Sequence, residues 1–264
     1  MPKQKNFETI SYSVEDKTAK ILLSRPEVHN AFNDAMIREL LDVFQEISKS
    51  EDIRVAILTG SGKSFCAGAD LNWMKRVINF TYEENKKESL DLADLFYLIY
   101  SLPKPTIARV NGSAIGGGAG LVAVCDIAIA SEDAKFSLSE VKLGLVPACI
   151  SPYVIRKVGE GRCREFFLTG ERLTAEKALK FGLVNQVVSP EKLNEAVEET
   201  AKQLLSSGPK ALTMCKQLLQ NVPGMSFEKA KTYTAEMIAS MRIGDEGQEG
   251  MNAFLEKRKP KWTQ

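Results

Sequence analysis

PTIARVNGSAIGGGAGLVAVCDIAIAS, residues 105–131, decides the fold. Its first part, TIARVNGSAI, is rich in β-branched residues and reads as a buried strand. Its last part, LVAVCDIAIA, begins as a helix and passes into another strand. Between them stand Gly116, Gly117, Gly118, Ala119 and Gly120. Three consecutive glycines lose backbone entropy on folding and contribute no packing. Read alone, such a run fits a flexible loop or a tight helix–strand contact. It also fits a main chain brought close to a ligand with its N–H groups aimed outward, which is how an oxyanion is held.

Outward from this stretch, strands and helices alternate. Residues 7–16 and 18–25 alternate apolar and polar and read as paired strands turning near Asp16 and Lys17. Asn33 caps a helix whose apolar face is Ile37, Leu40, Leu41, Phe44 and Ile47. RVAILTG (54–60) is a buried strand, residues 61–71 a loop leading into a helix, and 83–102 a helix ended by Pro103 and Pro105. The alternation up to about residue 190 predicts an α/β fold with a mostly parallel sheet. From Ser189-Pro190 only helical patterns follow, so 1–190 is read as the core and 191–264 as a helical region. Too small to bury itself, that region must pack on the core or on another subunit.

Bulk properties narrow the function. The chain has 264 residues, 44% apolar and 26% charged, with 35 basic and 34 acidic side chains. A net charge of +1 gives no footing for bulk nucleic-acid or membrane binding. The five cysteines are scattered and His29 is the lone histidine, so no metal site is expected. The first residues, MPKQKNFETISYSVED, hold no apolar leader segment, which predicts a cytoplasmic protein.

Three more segments carry candidate chemistry. In SFCAGADL (64–71), Ala67, Gly68 and Ala69 precede Asp70 at a helix start, where free N–H groups favour negative charge and Asp70 can serve as the cap. In FSLSEVKLGLVP (136–147), Glu140 sits among apolar residues. That suits a carboxyl of raised pKa used for proton transfer, against a solvated turn or an ion pair with Lys142. In RPEVHNAFN (25–33), Arg25 could meet a phosphate, and His29 reads as structural because no nucleophile motif accompanies it.

Together with LTGERLTAEKALKFGLVNQVV (168–188), these segments resemble, in order and over nearly the whole chain, the enoyl-CoA hydratase/isomerase (crotonase) superfamily. The resemblance implies a spiral of ββα repeats, a helical C-terminal region used to form a homotrimer or homohexamer, and an acyl-CoA substrate with no separate cofactor. It places the two oxyanion N–H donors at Ala69 and Gly117, the acid/base at Glu140, and Arg25, Ala67, Asp70 and Leu71 along the CoA path. The two-glutamate pattern of the hydratases would put its first acid at Gly120 and its second at Glu140; only Glu140 is present. Residues 136–160 are similar to bacterial methylglutaconyl-CoA hydratases, with ISPYV where typical hydratases are glycine-rich. The implied reaction is hydration of a branched or carboxylated enoyl-CoA, for which the bare Gly120 would leave room. Alternatives are a Δ3-Δ2 isomerase working through Glu140 and a non-catalytic acyl-CoA-binding scaffold.

Overall fold

The computed structural model describes residues 7–263. β1 (Ile10–Glu15) and β2 (Thr18–Leu23) form an antiparallel hairpin. Its turn residues, Asp16 and Lys17, both take positive φ, the twist a two-residue hairpin turn requires. α1 (Asp34–Lys49) is capped by Asn33, whose side chain accepts from the Met36 N–H at 2.8 Å. It buries Met36, Ile37, Leu40, Val43, Phe44 and Ile47.

The chain then repeats one plan. β3 (Val55–Gly60) and β4 (Ser64–Cys66) are followed by α2 (Leu71–Val77) and α3 (Tyr82–Ser101). β5 (Thr106–Val110) and β6 (Ser113–Ile115) are followed by α4 (Gly117–Val124). β7 (Ile127–Ser131) and β8 (Lys135–Ser137) lead through a 3-10 turn, Ser139–Leu143, into α5 (Ser151–Val158) and α6 (Glu160–Thr169). β9 (Arg172–Thr174), α7 (Ala175–Phe181) and β10 (Gln186–Val188) complete the sheets. The first strand of each pair enters a six-stranded sheet ordered β1-β2-β3-β5-β7-β10, and the second enters a four-stranded sheet ordered β4-β6-β8-β9. Apart from β1–β2 and β8–β9, all pairings are parallel. The chain therefore winds as a spiral of ββα turns in an α/β fold.

The small sheet is where sequence patterning fell short. Residues 64–66 form β4 rather than loop, the strand expected over 106–115 splits into β5 and β6, and 135–137 and 172–174 are strands as well. A three-residue strand is too short to show alternation, and its register comes from its neighbours.

Strand periodicity divides the core. From β3, Ala56 and Leu58 face the main cluster with Phe32, Phe65, Phe96, Phe136 and Phe166. Val55 and Ile57 face the opposite side, where Ile107 and Ile129 meet Leu193, Ala196, Val197 and Ala201 of α8 (Leu193–Ser206). The helical region 191–264 thus divides into two parts. α8 is a layer of the core, whereas α9 (Pro209–Asn221) buries only Lys216, α10 (Phe227–Ile243) buries nothing, and α11 (Asp245–Leu255) buries only Ala253. Among the described residues no helix is long and apolar enough to cross a membrane.

Candidate active site

Three neighbouring parallel strands of the small sheet end on the same side, and the residues just past their ends meet. β4 pairs with β6 (Ser64↔Ser113) and β6 with β8 (Ala114↔Phe136). Ala69 follows β4, Gly117 follows β6 and Glu140 follows β8. In open α/β sheets ligands gather at the carboxyl ends of strands. The first two connections touch back to back. A Cβ built on Gly68 falls 3.0 Å from the Ile115 carbonyl oxygen and 3.9 Å from Gly116 Cα. Both residues have positive φ, 89° and 53°, so glycine is what the close approach permits.

Each of these touching connections carries a free main-chain donor one residue further on. The Phe32 N–H donates to the Gly68 carbonyl and the Asp70 N–H donates to the Phe32 carbonyl, which clamps the main chain on either side of Ala69 and leaves the Ala69 N–H outside the ladder. Gly117 is the first residue of α4, so its N–H has no partner one turn earlier. Among the described residues neither N–H donates to a protein acceptor.

Glu140 closes the third side. A Cβ on Gly116 would lie 3.2 Å from Glu140 Oε1, so the carboxyl rests directly on the entrance of the glycine helix. Its Oε2 is buried with no hydrogen-bond partner. Burial pushes the Glu140 carboxyl above the ordinary glutamate value of 4.5, against the smaller opposing effect of its own backbone N–H. Lys142 points to solvent, which removes the ion-pair reading of this glutamate. A half-buried carboxyl of raised pKa close to main-chain N–H groups without protein partners has the chemistry to move a proton next to a carbonyl whose oxygen such groups could hold.

The enoyl-CoA hydratase/isomerase family model matches residues 13–264. The chain belongs to the enoyl-CoA hydratase/isomerase family. It is 35% identical over 255 residues to a crotonyl-CoA hydratase of Syntrophomonas wolfei, covering 96% of this chain and 97% of that protein. It is 35% identical over 247 residues to a short-chain-enoyl-CoA hydratase of Clostridium acetobutylicum, covering 93% and 94%. The crystal structure of an enoyl-CoA hydratase from Shewanella pealeana superposes with a TM-score of 0.94 at 40% identity, covering 97% of each chain.

Within this family frame, the residues expected along the CoA path turn out differently from one another. Arg25 is paired within the fold. Its guanidinium donates to Asp70 Oδ2 at 2.7 Å and to the Ala31 carbonyl at 2.6 Å, and the paired side chains are 17% and 5% exposed. Asp70 also caps α2, its Oδ1 accepting from the Asn72 and Trp73 N–H groups at 2.7 and 3.2 Å. Burial pushes the Asp70 carboxyl up, but the Arg25 and main-chain hydrogen bonds outweigh it and hold it below its ordinary value. The pair is a clip that fastens the Ala69 connection to residues 25–31. Ala67 is half-buried and donates its N–H to the His29 carbonyl at 3.0 Å, while Leu71 stands 75% exposed. Asp70→Ala is expected to lower stability by about 3 kcal/mol, because Arg25 is left without its counter-ion. Urea unfolding at pH 7 measures that loss. Because the folded carboxyl titrates below its unfolded value, the contribution is present above about pH 4 and disappears as pH falls through the folded value.

His29 is structural, its Nδ1 lying 3.0 Å from Ser64 Oγ. Its neighbour Asn30 was missed by motif reading. Fully buried, Asn30 donates to the Ser61 and Ser64 carbonyls at 2.8 Å each and accepts from the Arg25 N–H at 2.9 Å, which pins the entry to β4.

Gly120 brings a correction. The missing side chain leaves no room for a larger acyl group, because a Cβ there collides with Ile150 Cγ2 and comes within 3.0 Å of Ile150 Cβ and 3.1 Å of Phe96 Cζ. The volume is already filled from α5 and α3.

Proposed function

We propose that this chain adds water across the α,β double bond of an enoyl-CoA thioester, using the Ala69 and Gly117 N–H groups as the oxyanion hole and Glu140 as the single acid/base. The unpartnered Glu140 carboxyl resting against Gly116 carries the reading. Water attacks Cβ and gives its proton to Glu140, while the double-bond electrons move onto the thioester oxygen between the two N–H groups. Glu140 then returns the proton to Cα, the enolate collapses and the carboxylate is regenerated. Each preorganised donor is worth roughly 3 kcal/mol in such a hole. CoA enters as part of the substrate, and no other cofactor is used. The 3-10 turn of Glu140 continues into exposed Leu143, Leu145 and Val146, an apolar rim suited to an acyl chain. A branched or carboxylated acyl group is the proposed preference, supported by the similarity of residues 136–160 to bacterial methylglutaconyl-CoA hydratases.

One observation favours a second reaction on the same groups. A lone carboxylate is sufficient to carry a proton from Cα to Cγ, which is Δ3-Δ2 isomerisation. Turnover in H2(18)O separates the two. Hydration places the label on Cβ of the product, seen by mass spectrometry, and an unlabelled 2-enoyl product from a 3-enoyl-CoA would replace the hydratase reading with the isomerase one.

The assembly is proposed to be a homotrimer or a homohexamer. A groove of about 730 Å³ between α9, α10 and α11, lined by Met214, Leu218, Met237, Ile238 and Met241, would be covered in it. Sedimentation equilibrium should give three or six chain masses; a monomer mass at micromolar concentration would refute this.

A further inference from the structure

The face of α4 beside Glu140 is closed by a wall of apolar side chains. Gly117 and Gly120 lie three residues apart on one helix face. A Cβ on Gly117 would sit 2.9 Å from the Phe32 ring, and one on Gly120 would strike Ile150. Phe96 reaches both positions and meets Phe32 edge-on, with ring centroids 6.3 Å apart. Ile150 is 3% exposed at the start of α5. It is held by a tight loop in which the Ser151 N–H donates to the Pro147 and Ala148 carbonyls. Side chains on a helix tilt toward its N-terminus, so a long side chain at 120 would run toward Gly116, where the Glu140 carboxyl rests.

Resting on the hydratase reading above, we infer that Gly120 and Ile150 are a matched pair that keeps any second ionisable group out of the reaction site, so that Glu140 alone carries both proton steps. Ile150 is a positioning residue: it fills the volume through which an acid at 120 would reach the reacting atoms. The other titratable groups around Glu140 are already committed or turned away. α4 carries none. On the β4 side, the Cys66 thiol is buried and pushed up to about 12, and Asp70 is tied to Arg25. On the turn itself Lys142 is exposed. On α6, Glu160 pairs with Arg164, Glu165 with Lys177, Arg162 donates to the Phe181 carbonyl, and the Cys163 thiol is pushed up to about 11. At α5, burial raises the Cys149 thiol and the Tyr153 hydroxyl, which stay neutral near pH 7.

The test compares wild type, Gly120→Glu, Ile150→Gly and the double variant Gly120→Glu/Ile150→Gly, with two readouts. Carbon-13 NMR titration of glutamate carboxyls in the free protein reads the site without any turnover. The pH profile of kcat/KM on an enoyl-CoA reads it in action. Gly120→Glu alone is expected to lose at least about tenfold in kcat and to melt earlier, because its side chain has nowhere to go. In the double variant Glu140 should titrate higher than in wild type, through coupling to a second carboxyl, and kcat/KM should gain a second ionisation. An unchanged Glu140 titration in the folded double variant overturns the inference, as does a Gly120→Glu protein as stable and active as wild type. If the double variant does not fold, Gly120→Ala with and without Ile150→Ala decides. The second change should restore most of the kcat lost to the first, and simply additive losses would refute the pairing. A wild type that hydrates no enoyl-CoA overturns the hydratase reading instead, and the NMR titration still judges the pair.

Discussion

Glu140→Gln is expected to lower kcat about a thousandfold while leaving the affinity for a saturated acyl-CoA ester within about twofold of wild type. The side chain has almost no other work in the fold. Its buried Oε2 has no hydrogen-bond partner and its Oε1 lies against the glycine entrance of α4, and among the described residues no ion pair holds it, so removing the charge breaks none. The loss should therefore fall on the proton steps and not on binding, which stopped-flow turnover and isothermal titration measure separately. The same substitution should also change stability with a definite pH signature. Because burial raises the folded pKa of Glu140 above its unfolded value, the wild-type side chain favours the fold at pH below about 4, where it is neutral in both states. That contribution is lost as pH rises through the folded value, where a desolvated carboxylate must be kept. The difference in Tm between Glu140→Gln and wild type should accordingly grow with pH across that window and then level off. A pH-independent difference would mean that the carboxyl is solvated in the free enzyme. Full activity in the variant would remove Glu140 from the mechanism altogether.

How much of this was legible beforehand depends on the range over which each feature is written. The alternation of strands and helices up to about residue 190 is written locally and predicts the α/β fold, and the glycine run with its flanking strand and helix marks the position of α4. Glu140 stood out in the sequence as an acid set among Phe136, Leu138, Val141 and Leu143. The Arg25–Asp70 clip did not, because the partners are 45 residues apart and each has an adequate local reading of its own, a strand-end cation and a helix cap. Ile150 filling the space above Gly120 was hidden for the same reason. A missing side chain looks like room until the residue that fills it is known, and that residue lies 30 positions away, just before α5. The short strands of the small sheet are legible only through their neighbours, yet they gather Ala69, Gly117 and Glu140.

The second large effect should come from a single methyl group in the glycine run. Gly118→Ala is expected to destabilise the fold by about 2 kcal/mol and to lower kcat about a hundredfold. A Cβ at this position collides with the Cys66 carbonyl oxygen and falls 2.9 Å from the Cys66 carbonyl carbon, both main-chain atoms that have no rotamer to escape into. β4 cannot retreat freely, because it is paired to β6, and β6 runs directly into α4. The added methyl must therefore push α4 away from β4, which separates the Gly117 N–H from the Ala69 N–H. Under the oxyanion role proposed for these two N–H groups, a displaced donor is worth little, so kcat should fall in the proportion seen when an oxyanion donor is removed. The direction of the stability change is itself informative, since alanine is about 1 kcal/mol better than glycine inside a helix and propensity alone predicts a gain. Gly161→Ala provides the control: it lies in α6 with no atom within 4 Å of its added Cβ, and should raise Tm slightly while leaving kcat unchanged. If Gly118→Ala behaves like Gly161→Ala, the spacing of α4 and β4 does not set the oxyanion geometry. If it loses kcat with KM nearly unchanged, the glycine run acts by letting two main chains touch, and the catalytic group it supplies is an N–H held at the right distance by an absent side chain.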